Sequence, residues 1–229
     1  MAPLVVSTPA EAVAGVRDGS TILIGGFGSA GQPFALIEAL RRTGARDLVV
    51  VNNNAGNGER GLAAILAAGQ VRKVICSFPR QKDSWVFDDL YRTGRIELEL
   101  VPQGNLAERL RAAGAGIGAF YTPTGVSTPL AAGKEHRVIE GRTYILEYPL
   151  HGDLALIRAD RADRMGNLVY RKTARNFGPV MAAAATTTAA EVRWLVEAGD
   201  LDPESIVTPG IYVDRVVVAD ADHGSERAL

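Results

Sequence analysis

Asp18-Gly-Ser-Thr-Ile-Leu-Ile-Gly-Gly-Phe-Gly-Ser-Ala-Gly-Gln-Pro33 is the stretch from which the fold can be read. Residues 21–24 are a short apolar run, the mark of a strand buried on both faces. Glycines at 25, 26, 28 and 31 follow, and they permit the backbone angles of a sharp turn. Pro33 suits the first position of a helix. A buried strand running through a glycine turn into a helix is a unit of an α/β protein with a parallel sheet. The same geometry predicts that backbone N–H groups and a helix N-terminus converge on one point, where an anionic ligand group is held.

The pattern repeats down the first half of the chain. The spacing of Phe34, Ile37 and Leu40 predicts a helix over 33–42, with Gly44 beyond its end. Strands are expected at 47–51, 71–76 and 96–101, and helices at 59–68, 83–92 and 105–113. Four strand–helix units with short connections predict an open, mostly parallel sheet with helices on both faces. The second half changes character. Residues 122–133 read as a loop rich in Pro, Gly and Thr. Segments 136–139 and 142–147 flank Glu140-Gly141, a hairpin signature. Strands are expected at 153–159, 168–170, 188–197 and 211–219. In 188–197, Val192, Trp194 and Val196 alternate with Glu191, Arg193 and Glu197, as in a half-buried strand. The expectation is one α/β domain over 1–218 with a β-rich layer from the second half, then a polar, frayed tail over 219–229.

Composition narrows the function. The 229 residues carry a formal net charge of −1, which gives no global field for nucleic acid or an anionic membrane. No apolar run approaches a membrane span, and no signal peptide is evident. One cysteine, Cys76, excludes an internal disulfide, and with three scattered histidines it offers no metal set at a usual spacing. A cytoplasmic protein without a resident metal or cofactor is expected.

In an open parallel sheet, ligands bind beyond the carboxyl ends of the strands. The four expected strands are followed by residues 25–31, by Asn52-Asn53-Asn54-Ala55-Gly56-Asn57-Gly58, by Ser77-Phe78-Pro79-Arg80-Gln81 and by Pro102-Gln103-Gly104. That rim is built from glycines and side-chain amides. Such donors suit a carboxylate or thioester oxygen without adding a titratable group. Any one of these loops taken alone is as well explained as a turn. Gly26, Gly28 and Gly31 also satisfy G-x-G-x-x-G, but a dinucleotide site wants an acid at the end of the second strand. Val51-Asn52-Asn53 stands there instead, which argues against NAD.

Other candidates read as structural. Cys76 ends an apolar strand and is expected to be a buried small hydrophobe. His151 has no serine or cysteine motif near it. Glu108 looks like a helix-surface residue, and Glu59 is expected in a first helical turn. Arg171, Lys172 and Arg175 form a basic cluster that could face phosphates, a partner chain or solvent. No carboxylate is set up as a nucleophile.

The opening segment matches in full the first signature of the family I coenzyme A transferases: Asp-Gly, two residues, three apolar residues, Gly-Gly-Phe, three residues, Gly, one residue, Pro. Segments 53–56, 102–109, 116–125 and 171–177 are similar to the alpha (A) subunit of that family, and the resemblance runs to about Val218. Segments 56–59 and 71–81, with the short 133–136, look like its 3-oxoadipate branch. The resemblance implies a CoA-transferase/NagB-like fold and transfer of CoA from succinyl-CoA to 3-oxoadipate, with the CoA thioester as a substrate. It implies a glutamyl-CoA thioester on a partner B subunit with a Ser-Glu-Asn-Gly type motif, in an A2B2 heterotetramer. This chain contains no Glu-Asn-Gly, in keeping with the missing nucleophile. The site residues expected here are Gly26, Phe27, Gly28, Gly31, Asn53, Asn54, Gln103 and Gly104, a neutral donor wall, with Arg80 for a distal carboxylate. Two alternatives stay open at this point. One is a CoA-transferase chain that works on acetoacetate or another short-chain acid. The other is a non-catalytic module sensing an acyl-CoA or a sugar phosphate.

Overall fold

Strand pairing in the computed structural model, which describes residues 3–219, runs far across the chain. In chain order the strands are β1 Leu4–Val6, β2 Thr21–Ile24, β3 Leu48–Val51, β4 Val71–Cys76, β5 Glu97–Leu100, β6 Phe120–Thr122, β7 His136–Ile139, β8 Arg142–Glu147, β9 Gly152–Asp163, β10 Leu168–Val169, β11 Ala185–Val196 and β12 Arg215–Val218. The α-helices are α1 Pro9–Ala12, α2 Phe34–Thr43, α3 Leu62–Ala67, α4 Trp85–Arg92, α5 Gln103–Gly114 and α6 Gly178–Ala184. Of the expected tail, Ala219 is described, its N–H donating to Val192 O at 3.0 Å; residues 220–229 lie outside the described residues.

One sheet carries the order β1-β12-β11-β9-β2-β3-β4-β5. Every neighbouring pair along that path is parallel, and β10 alone adds antiparallel to β9. β2 is therefore interior, with Ile22 beside Val50 on one side and Leu154 on the other. That explains its unbroken apolar run, since a central parallel strand is covered on both faces. The second half is less separate than its composition implies. β9, β11 and β12 extend the same sheet, and only β6-β8-β7 forms an added antiparallel layer.

Two apolar cores lie on opposite faces of the sheet. One packs Leu36, Ile37, Leu40, Leu62 and Phe87 of α2, α3 and α4 against Ile22, Ile24 and Val50. The other packs Leu106 and Leu110 of α5 and Met181 of α6 against Leu23, Val51 and Ile157. α2 ends where its apolar stripe ends: Gly44 takes φ 72° and its N–H donates to Arg41 O, the left-handed stop that glycine adopts without steric cost.

Several boundaries differ from expectation. α3 begins at Leu62, so Glu59 lies in the turn before it rather than in a helical turn. The strand expected at 211–219 is shorter, with Ile211 and Tyr212 in a 3₁₀ turn. α6 has no counterpart among the expected helices; its sequence, GPVMAAA, has no polar face to mark a helical period. In β11 the alternation misleads: Glu191 is 6% exposed and Trp194 60%. The strand is covered on both faces at Glu191 and becomes exposed by Trp194, where it is still paired with β9.

Candidate functional site

The carboxyl ends of β2, β3, β4 and β5 lie side by side, so the four rim segments meet. Asparagines hold them together. Asn52 Nδ2 donates to Ile24 O at 2.6 Å, and Asn52 Oδ1 accepts from Asn54 N at 2.8 Å. Asn53 Oδ1 accepts from Ser77 Oγ at 2.7 Å and from Gln103 Nε2 at 2.8 Å, while its Nδ2 donates to Asn54 Oδ1 at 3.1 Å. Asn54 Oδ1 also accepts from Gly28 N at 2.8 Å, and its Nδ2 donates to Phe78 O at 3.1 Å. All three asparagines are buried. Each contact satisfies a polar group that would be costly to bury alone. Asn53 and Asn54 therefore join the loops from behind.

The glycine turn is closed in the same way. Gly26 N donates to Asn176 Oδ1 at 3.1 Å, Phe27 N to Ala30 O at 3.0 Å and Gly28 N to Asn54 Oδ1. Asn176 Nδ2 returns a bond to Ala30 O at 3.0 Å. Gly31, at φ 74°, brings its backbone so near the 174–176 segment that a Cβ there would stand 2.3 Å from Ala174 O. The expected anion at the N-terminus of α2 is also present, but it is the chain's own. Glu191 Oε2 accepts from Ala35 N at 2.8 Å and Leu36 N at 3.2 Å, with Arg158 Nε 3.9 Å from its other oxygen. The expectation of a ligand anion at that helix end gives way to a built-in carboxylate, supplied from 156 residues away along the chain.

α5 is the opposite case. Pro102 precedes it and no side chain caps it. The first N–H satisfied within the helix is that of Leu106, donating to Pro102 O at 2.9 Å, so the first-turn N–H groups are open to other acceptors. Gln103 is exposed; one amide N–H is on Asn53 and a second remains. Beside it is an open depression of about 340 Å³ lined by Phe27, Gln103, Gly104, Asn176 and Phe177, with Ala107 and Val180. Its wall is apolar with two amides. Of the expected residues, Phe27, Gln103 and Gly104 face this space, while Gly26, Gly28, Gly31, Asn53 and Asn54 build the wall behind it. Arg80 stands outside the lining: its Nε lies 2.7 Å from Asp88 Oδ1, and its side chain is 71% exposed.

The added sheet and an ion cluster position α5. Asn105 Nδ2 donates to Glu147 Oε1 of β8 at 3.1 Å, and Lys134 Nζ lies 2.6 Å from the same oxygen. Arg109 of α5 bonds Glu99 of β5 at 2.9 Å and Tyr148 O at 2.9 Å, and Lys73 of β4 reaches Glu99 at 2.6 Å. Burial acts to raise the Glu99 carboxyl, but the Arg109 and Lys73 hydrogen bonds outweigh it and hold it below its usual range.

No nucleophile emerges among the described residues. Burial pushes the Cys76 thiol up to about 12, so it stays protonated. Glu108 is ion-paired with Arg111 on the helix surface. Among the described residues no cluster of His, Cys, Asp or Glu could hold a metal, and no helix is long and apolar enough to cross a membrane. Asn176 and Phe177 are site residues that sequence reasoning does not find. They lie in the 171–177 segment, whose visible signal is its basic charge, and nothing local shows that it folds back 146 residues onto Ala30.

The family model described as Coenzyme A transferase matches residues 6–219. The A subunit of a 3-oxoadipate CoA-transferase of Pseudomonas putida is 67% identical over 208 residues, covering 91% of this chain and 90% of that protein. The A subunit of a probable succinyl-CoA:3-ketoacid coenzyme A transferase of Bacillus subtilis is 50% identical over 214 residues, covering 93% and 89%. Among solved structures, the acyl-CoA transferase apoenzyme of Escherichia coli O157:H7 superposes with a TM-score of 0.83 at 26% identity. The match covers 95% of this chain and 47% of that one, so the chain spans about half of that structure.

Proposed function

The chain belongs to the coenzyme A transferase family, and from that membership we propose that it is the A subunit of a heteromeric enzyme moving CoA from succinyl-CoA to 3-oxoadipate. The observation that carries this reading is the depression at α5, with an exposed amide, open N–H groups and no carboxylate in its wall. Such a surface can polarise a carbonyl and hold a carboxylate but cannot attack a thioester. The missing nucleophile is then the glutamate of a B subunit, in a Ser-Glu-Asn-Gly type motif, and the two chains assemble as A2B2 in the cytoplasm. The partner's carboxylate attacks the succinyl thioester, giving a glutamyl–succinyl anhydride and CoA thiolate. The thiolate then attacks the glutamyl carbonyl, releasing succinate and leaving a glutamyl-CoA thioester. The incoming acid reverses the two steps, so that it leaves as the CoA thioester and the glutamate is freed. Gln103 and the first turn of α5 stabilise the oxyanions formed at each carbonyl. Phe27, Phe177 and Val180 keep water from the reactive thioester.

The test is reconstitution. This chain alone converts neither acid, and with its B subunit it forms 3-oxoadipyl-CoA. Sustained turnover by the isolated chain overturns the divided site. The likeness to the Bacillus subtilis 3-ketoacid relative supports a second reading, with acetoacetate as the better acceptor. A larger kcat/KM for acetoacetate than for 3-oxoadipate decides for that second reading.

A further inference from the structure

α5 and α6 meet near their C-terminal ends. A Cβ on Gly114, the last residue of α5, would stand 2.6 Å from Ala183 Cβ, so the two helices pack backbone to backbone there. Towards their N-terminal ends they part, and the depression of about 340 Å³ opens between them. Its lining has a direction. Gln103 and Gly104 of α5, with Asn176 just before α6, carry the amides and the open N–H groups. One turn further in, Ala107 of α5 and Val180 of α6 make an apolar inner end. Residues four apart share a helix face, so Ala107 stands about 6 Å inward from Gln103.

Val180 is held where it stands. Thr188 Oγ1 donates to Ala182 O at 2.9 Å, a Cβ on Gly178 would lie 3.0 Å from the Tyr170 ring, and Met181 is buried in the core. A β-branched side chain in a helix also keeps essentially one χ1 rotamer, so its methyl groups have a fixed direction. Val180 is set apart in sequence too. Phe27 lies in the opening signature, Gln103, Gly104 and Ala107 in 102–109, and Asn176 and Phe177 in 171–177. Among the described lining residues, Val180 alone falls outside the segments by which the chain resembles the family. A side chain that separates one acid from another within a shared reaction belongs at such a position, where its size can differ without disturbing the donors.

We propose that Val180 is a specificity-determining residue: it closes the inner end of the depression to the carbon chain of a 3-oxoacid whose reacting carboxylate is held at Gln103. This rests on the transferase reading above. The carboxylate and keto oxygens of such an acid suit the amide end, and its methylene carbons suit the apolar end. The fixed isopropyl group of Val180 then sets how many carbons fit beyond the keto group. No lining residue of the depression is charged, so the second carboxylate of 3-oxoadipate stays at the open side, in water.

The experiment uses the complex reconstituted with its B subunit, wild type or carrying Val180→Ala, Val180→Leu or Ala107→Val, with succinyl-CoA as donor. The measured quantity is the ratio of kcat/KM for 3-oxohexanoate to that for acetoacetate, two acids that differ only in the length of an uncharged chain. Loss of the shared thioester to water slows both acids alike and cancels in the ratio. The ratio rises about tenfold in Val180→Ala, the lower end of what one methylene is worth in an apolar pocket. It falls in Val180→Leu, and it falls in Ala107→Val, which fills the same end from α5. A ratio unchanged in all three overturns the proposal and places Val180 on the pantetheine arm common to both reactions. A change of the same sign in Val180→Ala and Val180→Leu overturns it too. Should Val180→Ala fail to assemble with the B subunit, the two larger side chains decide, and a ratio lowered by neither overturns the proposal. A wild-type complex without transferase activity on either acid is a separate result, and it overturns the transferase reading itself.

Discussion

Two strand-to-helix turns on one sheet edge have opposite fates. The turn from β2 to α2 has the glycines, the proline and the helix N-terminus expected of an anion cradle. Its donors are nonetheless engaged within the chain, by Asn54, Asn176, Ala30 and Glu191. The turn from β5 to α5 is plainer, only Pro102-Gln103-Gly104, yet it is uncapped and opens on the depression. Unfilled donors, more than glycine content, mark where a ligand oxygen can go. The glycine turn still matters to the site: being closed, it is a rigid wall, and its Phe27 is 49% exposed towards the depression.

Breaking the closed turn is expected to cost most. Glu191→Ala removes the carboxylate that caps α2 and leaves Arg158 without it, so unfolding free energy falls by about 3 kcal/mol. Thermal or denaturant unfolding checks this, and a loss under about 1 kcal/mol means the helix end was never closed by Glu191. The open turn responds in rate. Gln103→Ala in the reconstituted enzyme lowers kcat roughly a hundredfold, as loss of one oxyanion donor does, with little change in melting temperature. A pure rise in KM assigns Gln103 to ground-state binding instead. Asn54→Ala lies between the two turns. It strands Gly28 N and Phe78 O and costs about 1–2 kcal/mol of stability, with a smaller fall in kcat than Gln103→Ala.

The smallest effect is in pH dependence. The folded Glu99 carboxyl is held below its ordinary value of 4.5, so its contribution to stability is present above that pH and is lost as pH falls through the lowered value. Glu38, held down to about 2 chiefly by its hydrogen bond to Arg41, acts in the same direction. Glu99→Gln is therefore expected to flatten the loss of stability below pH 4.5 without abolishing it, read from denaturation midpoints at a series of pH values. A steeper acid limb in the variant contradicts the sign.

Much of the first half is legible in the sequence because its signals are local. Apolar runs mark β2, β3 and β4, helical spacing marks α2 and α4, and glycines mark the stops. The rim is legible as a set of residue types following expected strands. Their roles are not, because Asn53, Asn54 and Gln103 are chemically alike and only their partners separate a bridge from an open donor. α6 escapes for lack of a polar face. Glu191 looks like the solvent side of a strand because alternation cannot report that both faces of β11 are covered there.

The amino-acid order alone therefore settles the α/β class, the interior position of β2 and the absence of a Glu-Asn-Gly motif, since each follows from neighbouring residues. Which helix end is open and which is filled required the folded chain. Glu191 reaches Ala35 across 156 residues and Asn176 reaches Gly26 across 150. A hydrogen-bond donor is free or occupied according to what the packed sheet brings beside it, and no local pattern encodes that.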